Sequence, residues 1–420
     1  MRVLLVHQNF PGQFKHLGPA LAARGDEVVA MGMRDLSDAV GLDAEGRQVL
    51  AGMRYIKSVG RCSTATDGHP WSRDFDSKVI RAEATMGSAL ALAAQGFRPD
   101  VVFAHPAWGE AMFLKEVWPD VPLALYCEML YQAEGLDGGF DPEFPSRLDP
   151  VRERARLMIR CLPQRLLWDD AAAGLSPTHF QAATFPEPMR SKITVIHDGV
   201  DTTRVAPGPA QPMRTGRGHE FGPDDEVITF VNRNLEPLRG YHRFMRALPE
   251  ILRRRPRAHV ILVGGEGVSY GAAPESGTWR QRFLAEVQAE LDVSRVHFVG
   301  QVPYDTYLNI LRLSKLHVYL TYPFVASWSL LEAMAVGVPV LGSDTPPVLE
   351  FVTEGETGLL VDFFDTDGLV ERACALLEDR VLAARLGRNA REKAVEGYDL
   401  ATRCLPAQLA WLDGVAARGR

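Results

Sequence analysis

Short, nearly unbroken apolar runs alternate along this chain with stretches whose apolar residues recur every three or four positions, and that beat narrows the fold more than any other feature. RVLLVH (2–7) reads as a buried strand. From Gln13 to Arg24, Phe14, Leu17 and Leu21 share one helical face before Gly25 ends it, and DEVVAMG (26–32) reads as the next strand. The pattern returns with a helix in 79–97 and a strand in DVVFAHP (100–106), then a helix in GEAMFLKEVW (109–118) and a strand in PLALYCEM (122–129). A long helical stretch follows, then strands in AAAGLSP (171–177) and ITVIHDGV (193–200). Strands this continuously apolar belong to a parallel sheet covered by helices on both faces.

After Asp201 the beat stops. Residues 202–226 are rich in Pro and Gly without periodicity, which reads as a linker with a mobile loop. It then resumes through VITFVN, HVILVG, VHFVG, LHVYLTY, VPVLGS and GLLVDFF, with helices between them at 241–255, about 279–291, 305–313 and around Glu332. Helices at 369–377, 381–397 and 399 to about 415 close the chain. The expectation is an α/β protein of two facing, Rossmann-like, doubly wound parallel-sheet domains with an interdomain cleft. The first spans 1–200 and is completed by a C-terminal helix at about 399–420; 201–226 links it to the second, 227–398.

At 420 residues the chain is long enough for two cores. Its apolar runs fall well short of the roughly 20 residues a membrane span needs, and its start runs straight into a strand, so no signal peptide is expected. Cys62, Cys127, Cys161, Cys374 and Cys404 are scattered and odd in number, which fits a reducing compartment and neither a disulfide framework nor a zinc site. A cytoplasmic location is expected. The net charge of -7 argues against a chain built for nucleic acid. HQNFPGQF offers no G-x-G-x-x-G after the first strand, which argues against a nicotinamide dehydrogenase.

VIHDGVD (195–201), VNRNLEPLRG (231–240), VILVGGEG (260–267), VHFVGQVPYDTY (296–307), SLLEAMAVGVPVLGSD (329–344) and EGETGLLVD (354–362) occur in an order and spacing that resemble the family 4 glycosyltransferases. The opening 7–32 is similar to the amino-terminal half of one subgroup. The resemblance implies the GT-B fold and a retaining, metal-independent, hexosyltransferase-like enzyme. It would move a sugar from a UDP-, GDP- or dTDP-sugar to a hydroxyl of a glycan, a lipid-linked or a protein acceptor in glycan biosynthesis, with no cofactor and no metal. A nucleotide-sugar-binding pseudoenzyme and a GT-B hydrolase or epimerase are the alternatives.

A donor of that kind presents a diphosphate, which calls for cations and free amides. Arg233 and Arg239 flank the turn after VITFVN, where a guanidinium fork can hold phosphate oxygens; the bland alternative is solvation or pairing with Glu236. Ser327-Trp328-Ser329 opens the Glu332 helix, whose first amides favour an anion, though either serine could simply be its cap. Gly12 is similar to a turn that approaches the donor phosphate, or is only a turn. The resemblance assigns Glu332 to the ribose hydroxyls, against a plain helix-surface glutamate, and His105 to the transferred sugar as a catalytic residue with Arg233 and Arg239. His7, near the same edge, reads better as a strand cap. Family members commonly carry a second glutamate eight residues before Glu332, where this chain has Phe324, so Glu128 and Glu266 become candidates for the sugar hydroxyls. Arginines among apolar residues in 151–168 are compatible with a peripheral contact at the inner face of the membrane, against an ordinary packed helix.

Overall fold

The computed structural model describes residues 1–42, 48–216 and 218–418. By its internal contacts the chain divides into two compact units, one of Met1–Glu134, Phe144–Asp198 and Ala401–Arg420, the other of Gly135–Glu143 and Gly199–Leu400.

The first unit is built on a nine-stranded sheet of β1 (Arg2–Val6), β2 (Glu27–Gly32), β3 (Gly41–Leu42), β4 (Gln48–Leu50), β5 (Met53–Lys57), β6 (Val101–Ala104), β7 (Leu123–Tyr126), β8 (Ala171–Ser176) and β9 (Ile193–Val195). Its order is β3-β4-β5-β2-β1-β6-β7-β8-β9, parallel from β5 to β9. The period-2 alternation of a strand sends Leu4 and Val6 into one core and Val3 and Leu5 into another, so both faces are buried. The C-terminal helix Leu405–Ala417 belongs to this unit: Leu412 and Val415 join its core, Trp411 lies 5.2 Å from Phe103, and Asp413 takes both arms of Arg24 at 2.8 Å.

The second unit opens with a two-stranded ribbon, β10 (Met213–Arg214) and β11 (Glu220–Phe221), inside the segment read as a linker and mobile loop. Phe221 and Val205 are buried, and that apolar anchorage is why the Pro- and Gly-rich stretch is ordered around them. A six-stranded, all-parallel sheet follows, made of β12 (Glu226–Asn234), β13 (Ala258–Gly265), β14 (Val296–Gly300), β15 (Ser314–Tyr319), β16 (Val340–Ser343) and β17 (Leu359–Val361) in the order β14-β13-β12-β15-β16-β17. Counted within the unit this is 3-2-1-4-5-6, and β5-β2-β1-β6-β7-β8 repeats it in the first unit. The switch points, where neighbouring strands send their connections to opposite sides, lie between β1 and β6 and between β12 and β15.

Three local expectations change. The helix expected over 109–118 is one turn, Leu114–Val117, because the chain turns sharply at Gly109 (φ 103°), where a Cβ would lie 2.5 Å from the Lys78 carbonyl oxygen. Strands β3 to β5 arise from a stretch too short and too polar to declare itself. Segment Gly135–Glu143, from the middle of the region read as the first domain, belongs by its contacts to the second unit. Phe140 packs 5.1 Å from Tyr322 and 5.3 Å from Phe363, while Asp141 accepts from Tyr322 at 2.8 Å and pairs with His242 at 3.0 Å.

Candidate functional site

At the switch point of the first sheet the first residues past β1 and β6 are both histidines. His105 N–H donates to the Val6 carbonyl at 2.9 Å and His7 N–H to that of Met31 at 3.1 Å, so the strand ladders themselves place the two rings 5.1 Å apart. Burial, and after it the nearby His105, push the His7 imidazole down to about 3. His7 is therefore neutral, and its Nδ1 accepts the Asn9 amide at 3.0 Å. His105 is buried; its Nδ1 faces the Ala107 amide at 3.4 Å, which leaves the Nε2 proton directed at Glu128 Oε2, also 3.4 Å away. Glu128, just past β7, receives the Gln13 amide on Oε1 at 3.0 Å. Burial opposes its charge, but the hydrogen bond from His105 and the two imidazoles outweigh that and hold the carboxyl below its usual range. The Gly12 backbone lies against the His7 ring: at φ 48°, a Cβ there would come within 2.6 Å of it.

At the switch point of the second sheet the chemistry is cationic. Strand β12 ends with Arg233 exposed; the Pro237–Arg239 turn follows, and Gly240 (φ 69°) starts helix Tyr241–Arg254 where the Leu320 side chain leaves no room for a Cβ. Arg239 is 6% exposed, and its guanidinium is caged by the end of β15 and the loop after it. Its Nη1 donates to the Val325 carbonyl at 2.9 Å, Thr321 Oγ1 at 3.0 Å and Tyr319 Oη at 3.4 Å, with the rings of Tyr270 and Phe324 centred 5.4 and 5.5 Å away. Arg233 and Arg239 do not pair with Glu236 among the described residues. Glu236 Oε2 instead accepts the Ser269 and Tyr270 amides at 3.2 and 3.0 Å and so anchors the loop that lays Tyr270 beside the guanidinium.

Helix Trp328–Val336 begins next to that cage. Ser327 Oγ caps it, accepting from Ser329 N at 3.3 Å and Ser329 Oγ at 3.0 Å, and Ser327 N donates to Tyr319 Oη at 2.6 Å. Trp328 is exposed. One turn on, Glu332 accepts a phenol on each oxygen, Tyr304 at 2.7 Å and Tyr307 at 2.8 Å. A cavity of about 430 Å³ opens beyond the carboxyl ends of β12, β13 and β14, lined by Asn234, Gly264, Gly265, Arg280, Phe298 and Gln301 among others. Arg280 lies 4.2 Å over the Phe298 ring.

Two family sequence models match, glycosyl transferase family 4 group over residues 24–205 and glycosyl transferases group 1 over residues 216–393. The chain belongs to the family 4 glycosyltransferases. The D-inositol 3-phosphate glycosyltransferase of Nocardia farcinica is 34% identical over 204 residues, 48% of this chain and 43% of that protein; the chain spans about half the length of such relatives. The glycogen synthase of Mycobacterium tuberculosis is 25% identical over 426 residues, covering 96% of this chain and 92% of that one. Among solved structures, sucrose-phosphate synthase from Thermosynechococcus elongatus superposes with a TM-score of 0.72 at 19% identity, over 99% of this chain and 100% of that one. Anabaena Alr3699/HepE in complex with UDP and glucose gives 0.65 at 15%, over 99% and 100%. These likenesses show the GT-B fold.

Within this family 4 chain the structure gathers the sequence candidates into two groups. Gly12, His105 and Glu128 meet in the first unit, where Gln13 and His7 complete the cluster. Arg239, Phe324, Ser327 and Ser329 are linked in the second through Tyr319, Tyr270 and the Val325 carbonyl. Glu266 stands apart from them: Arg280 holds it at 2.5 Å and Thr278 at 3.0 Å, on the rim of the cavity, so its carboxylate braces that wall. Phe324 is buried against Tyr270 at 4.7 Å. Stretch 151–168 forms two helices, Pro150–Arg160 and Leu162–Trp168, with Val151, Met158 and Leu166 exposed. Arg152, Arg154 and Arg156 each pair with a neighbouring acid, and Arg160 lies 3.9 Å over Tyr131. Among the described residues no helix is long and apolar enough to cross a membrane. Asp141, Glu143 and His242 bring one ligand atom each within 4.8 Å of one another, with both oxygens of Glu143 bound by Arg246 at 2.6 and 2.8 Å. Sequence reasoning missed Gln13, Tyr270, Tyr304, Tyr307 and Tyr319. Only Tyr304 and Tyr307 gave a signal, two phenols three residues apart at the start of the helix expected over 305–313.

Proposed function

We propose that the protein is a retaining glycosyltransferase that moves a sugar from a nucleotide-sugar donor to an acceptor hydroxyl. The observation that carries the reading is the cationic switch point of the second sheet. There Arg239 is buried with only Nη1 engaged among the described residues, beside a serine-capped helix start and on the same chain segment as Glu332. A diphosphate answers that set: a forked cation and helix amides for its oxygens, and a carboxylate one turn along for the ribose hydroxyls. The cavity with its glycine wall and the Arg280–Phe298 stack suits a flat base. Arg233 adds charge from solvent.

In the reaction the bond from the anomeric carbon to the phosphate oxygen breaks while a bond to the acceptor oxygen forms on the same face. The acceptor proton passes to the departing diphosphate. The chemical demand is therefore stabilisation of negative charge on the leaving group, which preorganised guanidinium and amide donors meet. His105 and Glu128 are assigned hydroxyl contacts to the transferred sugar. Their hydrogen bond fixes the histidine tautomer and keeps the carboxylate an acceptor. The reading assigns this chemistry to the chain's own side chains and involves no metal.

The test is a thermal-shift panel of UDP-, GDP-, ADP- and dTDP-sugars, since selective binding to the native state raises the melting temperature. One nucleotide class should stand out, and with an acceptor the product should keep the anomeric configuration by proton NMR. An inverted product removes the retaining mechanism. No shift with any nucleotide sugar at millimolar concentration removes the donor reading, while binding without transfer or with acceptor-free turnover favours a pseudoenzyme, hydrolase or epimerase.

A further inference from the structure

Glu332 projects from a nine-residue helix, yet each of its oxygens already holds a phenol. Tyr304 and Tyr307 are three residues apart on helix Tyr304–Leu313, so they emerge on one face with ring centroids 5.8 Å apart. That spacing lets one donor reach Oε1 at 2.7 Å and the other Oε2 at 2.8 Å. Tyr307 is buried and Tyr304 is 40% exposed. The outer ring is braced from the solvent side by Arg204, whose guanidinium lies 4.8 Å from its centroid and is itself held by Asp305 at 2.8 Å.

A carboxylate accepts about four hydrogen bonds, roughly two on each oxygen. One phenol per oxygen leaves one acceptor position on each, both in fixed directions because the side chain can no longer rotate. Two hydroxyls on adjacent carbons supply the matching pair of donors. Burial first, and the Glu332 charge next, raise both phenols above their usual range, so the tyrosines remain donors.

We propose that Tyr304 and Tyr307 are positioning residues that lock Glu332 with one open acceptor site per oxygen and thereby make the site selective for a vicinal diol, the ribose of a nucleotide, over deoxyribose. This rests on the reading of Glu332 as the ribose acceptor. Freed of the phenols, the carboxylate samples several rotamers and meets the diol with one oxygen at a time, so a missing hydroxyl matters less.

The experiment is calorimetric titration of the full chain with UDP, GDP and ADP, their 2′-deoxy and 3′-deoxy counterparts, and pyrophosphate. Wild type is compared with Glu332→Gln, Tyr304→Phe, Tyr307→Phe and the double Phe variant. Wild type should prefer the ribonucleotide about 10- to 100-fold, the range of one hydrogen bond to a charged group. The double variant should fall to about threefold or less with pyrophosphate affinity unchanged, and each single variant should lie between. A double variant that keeps the wild-type preference, while Glu332→Gln loses it, overturns the positioning role and leaves the ribose reading standing. A wild type without preference, or one that Glu332→Gln does not alter, overturns the ribose reading and this inference with it. A uniform loss across ribose, deoxyribose and pyrophosphate ligands, together with a lowered melting temperature, makes the tyrosines a tie between two helices and overturns the proposal. If Tyr307→Phe fails to fold, Tyr304→Phe makes the same comparison at Oε1 alone.

Discussion

The two units share a strand order and differ at the place that order creates. Past β1, β6 and β7 the first sheet ends in two imidazoles and a carboxylate that hydrogen-bond within their own cluster. Past β12 and β15 the second ends in a caged guanidinium with, among the described residues, one of its three nitrogens engaged, and a second arginine in solvent. Topology sets where a ligand can sit; the side chains one or a few residues beyond the strands decide what charge it carries. The first end suits neutral hydroxyls, and the second an anion.

That contrast is most exposed to Arg239→Ala. Removing a fork that makes charge-assisted bonds to phosphate should weaken nucleoside diphosphate binding by about 3 kcal/mol, or about 150-fold, read by calorimetry. Thr321 and the Val325 carbonyl also lose their donor, so the melting temperature should fall. Arg239→Lys should recover the charge and only part of the affinity, because an ammonium cannot span two oxygens as the fork does. Wild-type affinity in Arg239→Ala would sink the anionic assignment of this end.

Glu128→Gln tests the other end. The isosteric amide keeps an acceptor for Gln13 but offers His105 Nε2 an N–H instead of an oxygen. Turnover should fall by about 2 kcal/mol in the barrier, roughly 30-fold, with nucleoside diphosphate affinity unchanged. A loss of nucleotide binding equal to that of Arg239→Ala would erase the distinction between the two ends.

How much of this was legible depends on range. The βα beat was, because strands buried on both faces leave unbroken apolar runs such as RVLLV and VITFV. The places of His105, Arg239 and Glu332 in the fold were, because each lies within a few residues of a strand end or a helix start. The cage around Arg239 was not: Tyr270 comes from one loop, and Tyr319, Thr321 and Val325 from the end of β15 and the loop after it, 31 to 86 positions away, and only the packed sheet brings them together. Segment Gly135–Glu143 was hidden for the same reason, since Asp141 finds Tyr322 across 181 positions. MRYIK, polar at Arg54 and Lys57, lacks the continuous apolar signal that marks its neighbour β2. The surroundings of Glu266 were hidden as well, because a strand-end acid looks the same in sequence whether it is free or, as here, held by Arg280 on the rim of the cavity.

Gly12→Ala separates two roles at one position. A side chain in the left-handed region costs about 1–2 kcal/mol, and here the Cβ also meets the His7 ring. The variant should melt a few degrees lower with nucleoside diphosphate affinity intact, which makes Gly12 a turn that supports the histidine pair. A loss of affinity with unchanged melting would instead assign its backbone to phosphate.

The smallest expected effect discriminates most finely, because Arg233 and Arg239 carry the same charge in different surroundings. Arg233 is exposed at the end of β12 and unpaired among the described residues. A solvated cation contributes about 0.5–1 kcal/mol, so Arg233→Ala should weaken nucleoside diphosphate binding about threefold at low salt. Screening acts over about 10 Å at 0.1 M salt and about 3 Å at 1 M, so that difference should vanish as salt rises. The Arg239→Ala deficit should persist over the same titration, since a buried fork is shielded from mobile ions. Parallel salt dependences would mean that the two guanidiniums share one environment, and a salt-resistant Arg233 deficit would mean that ligand binding draws the exposed arginine into direct, desolvated contact with phosphate.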